Sequence, residues 1–352
     1  MDIPKYDGNI HPDEWINDIR KYHYIWKVEY EEFLNIVISL IDPTIKLPTE
    51  ISDIEELRNA LKRNISFAVF KNTNKRKLQL LKYNPESRGG DTSKFISNFL
   101  KLCYNAEIND IEEQKNYLYK SLPMKHFDSI SNEFYEKMKN VTSLNGLVKE
   151  FEDFVVYESN LITNDSIVAL KHVATGKYLS SVENLCYKTG SKLQLVFVRG
   201  SEPGTNSLWK IKFNKELATY TDTSITLQHT KSNKLLGISW YGSGNSYSYQ
   251  KSPTFGSTEV NCGGNTSDWK FNYSKSEENH QSYLKSNDII YLSIKKSIDR
   301  SGRTTHIGSV EFLRCHDVRF TIGNDNFQEI VCHNERLGAN DDWCIELIEQ
   351  CV

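Results

Sequence analysis

The chain has 352 residues, of which 43 are basic and 46 acidic, so its formal net charge is −3, and 38% of its residues are hydrophobic. This length exceeds one ordinary domain, and the apolar content suffices for about two cores, which excludes extensive disorder. The balanced charge is not that of a polyanion-binding protein, and nucleic acid is not expected as a partner.

No membrane-spanning segment is predicted. The longest apolar stretch, from Phe33 to Ile41, is interrupted by polar residues and is far shorter than the roughly 18 residues that a bilayer crossing requires. The first residues are acidic and include Pro4, unlike the basic and apolar start of a secretory signal. The seven cysteines form no Cys-x-x-Cys pair. We therefore expect reduced thiols and a cytoplasmic protein.

The first 160 residues have the pattern of an all-α domain. Pro12 opens a segment in which Trp15, Ile19, Tyr22 and Trp26 recur at the spacing of one buried helical stripe. Further helices are predicted at 28–41, 53–70, 92–106, 110–121 and 143–158, with starts marked by Ser52-Asp53, Asp91-Thr92 and Thr142-Ser143. The pattern predicts six or seven short helices.

The second half is richer in glycine, serine and threonine, and it repeats itself three times. Each unit has a strand-like segment, a leucine after an aromatic or aliphatic residue, a second strand, and a strand that begins with tryptophan. The leucine-to-tryptophan spacing is 30, 33 and 30 residues, for Leu179–Trp209, Leu236–Trp269 and Leu313–Trp343. Three such repeats, at about 166–213, 223–273 and 288–348, predict an all-β β-trefoil over 163–350. The fold class is therefore multidomain, with an all-α domain followed by a β-trefoil.

The third repeat carries an insertion of 12 residues between its first two strands, around Ser297 to Thr304. Its polar composition predicts a solvated hairpin loop.

The run from Leu170 to Ser181, LKHVATGKYLSS, together with the later tryptophan, resembles the MIR repeat. This β-trefoil module is found in protein O-mannosyltransferases and in intracellular calcium-release channels. The resemblance covers about residues 163–350. It implies a binding or scaffolding trefoil with a carbohydrate or polypeptide ligand and no catalytic residues in the module.

The first half contains Tyr6-Asp-Gly8, the segment from Pro12 to Trp15, and the segments from Asp91 to Phe99 and from Ser121 to Pro123. In these features it is similar to the Gag capsid domain of gypsy-class retrotransposons. It implies a capsid-like domain that self-associates into a homo-oligomer. The chain has no Cys-His zinc knuckle and no basic tail, so RNA packaging is not expected.

No catalytic residue, metal site or cofactor is predicted. His172 and His229 occupy equivalent positions in two repeats, which favours a structural role over metal binding or acid-base chemistry. Cys315-His316 and Cys332-His333 could suggest zinc, but adjacent strand residues point to opposite faces and the usual ligand spacing is absent. Phosphate-binding loops and hydrolase motifs are also missing from the sequence.

The most suggestive surface feature is the segment from Trp240 to Gln250, in which Trp240, Tyr241, Tyr247 and Tyr249 are interspersed with small polar residues. Rings of this kind can stack on sugars or anchor a protein partner. The alternative interpretation is a long hairpin whose rings pack back onto the barrel.

The leading hypothesis is a non-enzymatic binding and scaffolding protein. Its trefoil recognises a glycan or protein partner, and its helical domain self-associates. One alternative is a lectin-like protein whose helices only support the trefoil. A third hypothesis, a glycosyl-transferring enzyme, is disfavoured because the transferases of the MIR family carry their chemistry on membrane-spanning segments.

Overall fold

The computed structural model describes residues 4–86, 89–122, 127–244, 246–254, 256–273, 283–305 and 307–351. The chain divides into two compact units, Met1–Val156 and Tyr157–Val352, which we call the helical unit and the β unit. No helix in the described part of the chain combines the length and apolarity needed to cross a membrane.

The described residues of the first half form eight helices where the sequence predicted six or seven. Their bounds are α1 Pro12–Trp26, α2 Tyr30–Ser39, α3 Ile54–Arg63, α4 Ile65–Leu80, α5 Thr92–Asn105, α6 Ile111–Ser121, α7 Phe127–Met138 and α8 Leu144–Ser159. The unpredicted helix is α7. Among its residues whose side chains are described, Phe134 and Met138 are the fully buried ones, so its apolar stripe is short.

The prediction of one continuous helix over 53–70 was wrong. Asn64 has an extended backbone, with φ −70° and ψ 147°, and it separates α3 from α4. Its side chain accepts a hydrogen bond from the backbone N–H of Ser66, which makes Asn64 the N-cap of α4. An asparagine within an apolar-periodic segment therefore ended one helix and started the next.

The predicted helix starts are confirmed by their capping hydrogen bonds. The carboxylates of Asp53 and Asp91 accept from the backbone N–H groups three residues further on, and Ser143 Oγ accepts from Gly146 N at 3.2 Å. Each bond satisfies a donor that the helix itself leaves without a partner. Pro123, which belongs to the capsid-like pattern, lies outside the described residues.

The helical unit buries the first two residues of the predicted α1 stripe, whereas the third, Tyr22, is half-buried. Trp15 and Ile19 are fully buried and pack with Phe33 and Val37 of α2 and with Leu57 of α3. The side chain of Trp26 lies outside the described part of the chain. A second group of aromatic rings packs along α5, α7 and α8, with Phe95 and Phe151 stacked at a centroid distance of 5.5 Å.

The β unit contains fourteen strands among its described residues. They are β1 Ile167–His172, β2 Tyr178–Cys186, β3 Gln194–Arg199, β4 Trp209–Lys212, β5 Thr226–His229, β6 Leu236–Ile238, β7 Trp240–Ser243, β8 Ser246–Tyr249, β9 Thr258–Cys262, β10 Trp269–Tyr273, β11 Ile289–Lys295, β12 Val310–Ile322, β13 Asp325–His333 and β14 Trp343–Glu349.

Strand pairing closes these strands around a threefold axis. The first and last strands of the repeats pair as β1–β4, β4–β5, β10–β11 and β11–β14, and β14 returns to β1. The inner strands of the three hairpins pair with one another in a ring, β3 with β9, β9 with β13 and β13 with β3. This is a barrel capped by three hairpins, so the predicted fold class, an α-helical region followed by a β-trefoil, is confirmed.

The three repeat tryptophans hold equivalent places in the core. Each indole Nε1 donates to the carbonyl of the repeat leucine: Trp209 to Leu179 at 3.0 Å, Trp269 to Leu236 at 2.9 Å and Trp343 to Leu313 at 3.2 Å. All three side chains are fully buried. The indole therefore fills the barrel and also ties the last strand of each repeat to the second.

Candidate functional site

The four aromatic residues singled out in the sequence lie on one two-stranded hairpin, β7–β8. Trp240 is opposite Tyr249, Tyr241 is opposite Ser248, and Gly242 is opposite Tyr247. Because residues directly opposite each other share a face and neighbours alternate, Trp240, Tyr247 and Tyr249 lie on one face and Tyr241 lies on the other. We call these the inner face and the outer face of the hairpin.

The inner face is used for packing. Tyr249 packs against the trefoil core, and the Lys296 ammonium lies 5.0 Å from the centre of its ring. Trp240 and Tyr247 contact each other edge to face at a centroid distance of 5.7 Å. For Tyr249 the packing interpretation of the sequence therefore describes the observed contacts. A ligand-binding role for the inner-face rings stays a prediction.

The insertion of the third repeat covers this inner face. The backbone N–H of Tyr247 donates to the carbonyl of Arg300 at 2.9 Å, and the backbone N–H of Ile298 donates to Tyr249 Oη at 3.2 Å. Gly302, with φ +80°, lies so close that an added Cβ would be 2.3 Å from the Tyr247 ring. The insertion is the predicted hairpin turn, but it packs on β7–β8 rather than being a purely solvated loop.

The outer face presents one ring among hydroxyl groups. The Tyr241 side chain is 45% exposed. Alternation places Ser243, Ser246 and Ser248 on the same face, and all three are exposed. The sequence segment contained the signal for this division, because counting alternate residues on either side of the turn places Tyr241 with the serines and the other three rings on the opposite face.

The hairpin is held in place by a side chain at its start. Asn265 accepts from the backbone N–H of Trp240 at 3.0 Å and donates to the Trp240 carbonyl at 3.1 Å. This pair of bonds satisfies both backbone groups of Trp240. The outer face is therefore presented by a hairpin that is fixed at its base and on its inner side.

His172 and His229 have the structural role that their repeat positions predicted. Both side chains are fully buried. Nε2 of His172 lies 3.2 Å from the carbonyl oxygen of Asn340, and Nε2 of His229 lies 3.3 Å from that of Asn206. Because a carbonyl oxygen can only accept, Nε2 carries the proton in each ring. Burial lowers the pKa of both imidazoles, which keeps them neutral. In the third repeat Ile294 takes this position opposite Trp269.

A buried charge cluster in the third repeat was not recognised in the sequence. Asp341 accepts two bonds from Arg314, Nε to Oδ1 at 2.8 Å and Nη2 to Oδ2 at 2.9 Å, and its Oδ1 lies 2.8 Å from His333 Nε2. His333 Nδ1 accepts from the backbone N–H of Glu335, so Nε2 is the donor to Asp341. The cluster fixes the loop that precedes Trp343, and it leaves no ring nitrogen of His333 for a ligand.

Two buried glutamates hold loops of neighbouring repeats. Glu259 accepts from Ser191, through both its hydroxyl and its backbone N–H, and from Asn261. Glu329 occupies the equivalent place in the third repeat, beside Ser252 and Thr254. Burial raises the pKa of both carboxyl groups, and the hydrogen bonds of Glu259 oppose this only in part. Both carboxyl groups lie against loop residues, which indicates a structural role.

The described residues contain no group of three or more histidine, cysteine, aspartate or glutamate side chains placed to bind a metal. Cys315 and Cys332 are buried within the trefoil core, and burial raises the pKa of both thiols. Both side chains therefore act as small apolar groups in the core.

No family model matches the chain, and no curated protein does. Among solved structures, the chain is similar to the SDF2-like protein from Arabidopsis thaliana, with 24% identity, 54% of this chain and 98% of that chain covered, and a TM-score of 0.41. It is also similar to the protein O-mannosyltransferase Pmt1-Pmt2 complex of S. cerevisiae bound to the sugar donor, with 15% identity, 80% and 40% covered, and a TM-score of 0.39.

A third similar structure is the ricin B-like lectin of Macrolepiota procera in complex with lactose, with 14% identity, 53% of this chain and 98% of that chain covered, and a TM-score of 0.30. The trefoil assignment for this chain rests on its own strand pairing and on its three equivalent tryptophans.

Proposed function

We propose that this protein is a non-enzymatic binding protein whose β-trefoil recognises a glycan on the outer face of hairpin β7–β8. The observation that carries the proposal is the combination of the exposed Tyr241 ring with three exposed serine hydroxyls on one face. The resemblance of the segment from Leu170 to Ser181 to the MIR repeat supports a binding role for the module.

The chemistry of this face suits a sugar. The C–H face of a pyranose packs on an aromatic ring, while its hydroxyls need hydrogen-bonding groups at the edge of that ring. Tyr241 supplies the ring, and Ser248 directly opposite supplies a hydroxyl. Because the other side of the hairpin is fixed by Tyr249 and by the insertion, little ordering entropy is lost on binding.

The buried polar groups of the trefoil favour binding over catalysis. Four of the described groups that could perform acid-base chemistry, His172, His229, His333 and Asp341, are each fully buried and hydrogen-bonded to a loop or to another side chain. A general acid or base must reach its substrate.

Replacing Tyr241 by alanine should weaken glycan binding by about fivefold to tenfold, because the stacking contribution of one ring is about 1 kcal/mol. The full chain is first screened on a glycan array, and the best saccharide is then titrated calorimetrically against the wild type and the variant. Tyr273→Ala is the matched control, because Tyr273 is a trefoil tyrosine of similar exposure, 39%.

Equal affinity of the wild type and Tyr241→Ala for that saccharide would contradict the assignment of the outer face. Failure to bind any glycan would contradict glycan recognition and favour a protein partner.

We also propose that the helical unit self-associates, as its resemblance to Gag capsid domains implies. Ile65 and Val69 lie one turn apart on α4 and are 76% and 56% exposed. Two neighbouring apolar side chains on a helix form a surface that a second copy can cover.

The double variant Ile65→Asp, Val69→Asp should reduce the oligomeric mass of the full chain to that of a monomer. The measurement is gel filtration with light scattering over a concentration series. The control is Ile25→Asp on α1, where the replaced side chain is also exposed, at 59%. A wild-type chain that remains monomeric at every concentration would refute self-association.

A further inference from the structure

A groove of about 240 Å³ lies between the strand β3 of the first repeat and the hairpin β12–β13 of the third. Three cationic side chains, Lys177, Arg199 and Arg319, line this cationic groove. The buried rings of Phe197 and Phe327, in edge-to-face contact at 4.8 Å, form its apolar wall. None of the residues that line the groove belongs to hairpin β7–β8.

The cations of the groove are not used by the fold as ion pairs. Lys177 Nζ donates to Oε1 of Gln328, another residue of the groove lining, at 3.0 Å. Arg199 and Arg319 are exposed, and in the described part of the chain none of the three cations has a carboxylate oxygen within ion-pair distance. The groove also contains the carboxylate of Asp325, so the cations outnumber the acid three to one.

The trefoil does not require a cation at the position of Arg199. The equivalent residue in each repeat is the one that pairs with the residue just before the repeat leucine. These residues are Arg199, which is opposite Tyr178, Gly263, whose N–H donates to the Leu235 carbonyl, and His333, which is opposite Phe312. Gly263 has no side chain, and His333 is bonded to Asp341. Of the three equivalent positions, only that of Arg199 places an unpaired charge at the surface. This departure from the repeat indicates a role outside folding.

The size of the groove limits its ligand. Pockets that hold drug-sized molecules have volumes of roughly 300 to 1,000 Å³. The cationic groove is smaller, so it suits one small group or one sugar residue. Arginine side chains bind carboxylates, phosphates and sulfates through two parallel hydrogen bonds.

We propose that the cationic groove binds an oxyanion, a sulfate, phosphate or carboxylate, together with at most about one sugar residue of the ligand that carries it. Arg199 and Arg319 pair with the oxyanion from two different repeats, and Lys177 adds a third charge beside Gln328. This site is independent of the glycan site on hairpin β7–β8.

The test is calorimetric titration of the full chain, at low and at physiological salt, with inorganic sulfate, inorganic phosphate, a sulfated disaccharide and the corresponding neutral disaccharide. The double variant Arg199→Gln, Arg319→Gln should bind the sulfated disaccharide at least about tenfold more weakly, because it loses two charge-assisted pairs. Arg303→Gln is the matched control, since it removes an exposed arginine outside the groove.

Two outcomes support the proposal and distinguish the source of the anion. If sulfate or phosphate displaces the disaccharide, the groove recognises the free oxyanion. If only the sulfated disaccharide binds, it recognises an acidic sugar. The proposal is overturned if no anion binds at low salt, if the neutral disaccharide binds the Tyr241→Ala variant as tightly as the sulfated disaccharide does, or if the double variant binds like the wild type. Tyr241→Ala, titrated in parallel, should retain anion binding, so failure of either site can be recognised separately.

Discussion

Replacing Trp269 by alanine should lower the free energy of unfolding of the β unit by about 3 to 5 kcal/mol. The side chain is fully buried, and its Nε1 donates to the Leu236 carbonyl at 2.9 Å. Truncation leaves a large cavity in the barrel and removes the partner of a buried carbonyl, and both effects destabilise the fold. Native-state hydrogen exchange of β11 amides in the full chain measures this loss, because the slowest amides report the opening of the whole unit.

Trp240→Ala is the control for this prediction. Trp240 is only half-buried and lies on hairpin β7–β8, outside the trefoil core. Its removal should cost about 1 kcal/mol in the same measurement. Similar losses of unfolding free energy for Trp269→Ala and Trp240→Ala would contradict the claim that the three buried tryptophans stabilise the trefoil core.

The Asp341→Asn variant should lose about 3 to 5 kcal/mol of stability, because it removes the buried counter-charge of the Arg314 guanidinium and leaves only the exposed Glu335 as its ion-pair partner. Asp341 is 1% exposed and Arg314 is 13% exposed, so water cannot replace the lost partner. The Gly338 N–H of the loop before Trp343 donates to Asp341 Oδ2 at 2.7 Å. An asparagine has one carbonyl oxygen for the bonds that two carboxylate oxygens accepted, so part of this network is lost. Thermal and urea unfolding of the full chain, followed by far-UV circular dichroism, measure the effect.

This carboxylate also gives the stability of the β unit an acid-side pH dependence. Burial alone would raise the pKa of Asp341, but hydrogen bonds from Arg314 and His333 outweigh it and hold the pKa well below its usual range. A carboxyl group with a lowered folded-state pKa stabilises the fold above its ordinary pKa of about 3.9, and this stabilisation is lost as the pH falls further.

The Asn variant should therefore approach the wild type in stability at the lowest pH at which both remain folded. Glu335→Gln is the matched control, because Glu335 contacts the same Arg314 but is 74% exposed, and its loss should cost less than about 1 kcal/mol. If Asp341→Asn is no less stable than Glu335→Gln at neutral pH, the cluster does not fix the loop as described.

The trefoil could be predicted from the sequence because each repeat keeps the residues that make its threefold contacts. A leucine and a tryptophan 30 or 33 residues later are visible as a repeat, and these are the residues joined by the indole hydrogen bonds. The break at Asn64 was less visible, because an asparagine within an apolar-periodic segment also occurs in continuous helices. The hydrogen bond from the Ser66 N–H to the Asn64 side chain, which starts the new helix α4, is visible only in the structure.

The candidate site could be predicted as a segment but not as a surface. The sequence indicated Trp240, Tyr241, Tyr247 and Tyr249 together, and strand alternation separates Tyr241 from the other three rings. It could not show that the insertion some fifty residues further on covers the inner face, because that contact joins two repeats. The Arg314–Asp341–His333 cluster was hidden for the same reason, since its members come from separate strands and a loop.

The measurement that tests the central claim most directly is hydroxyl-radical footprinting of the full chain, with and without the saccharide selected on the array, read by mass spectrometry. We predict that saturation with the saccharide protects Tyr241 from oxidation and leaves the exposed Tyr273 and Tyr135 unchanged. Unchanged labelling of Tyr241 at saturation would contradict glycan recognition by the outer face of the hairpin.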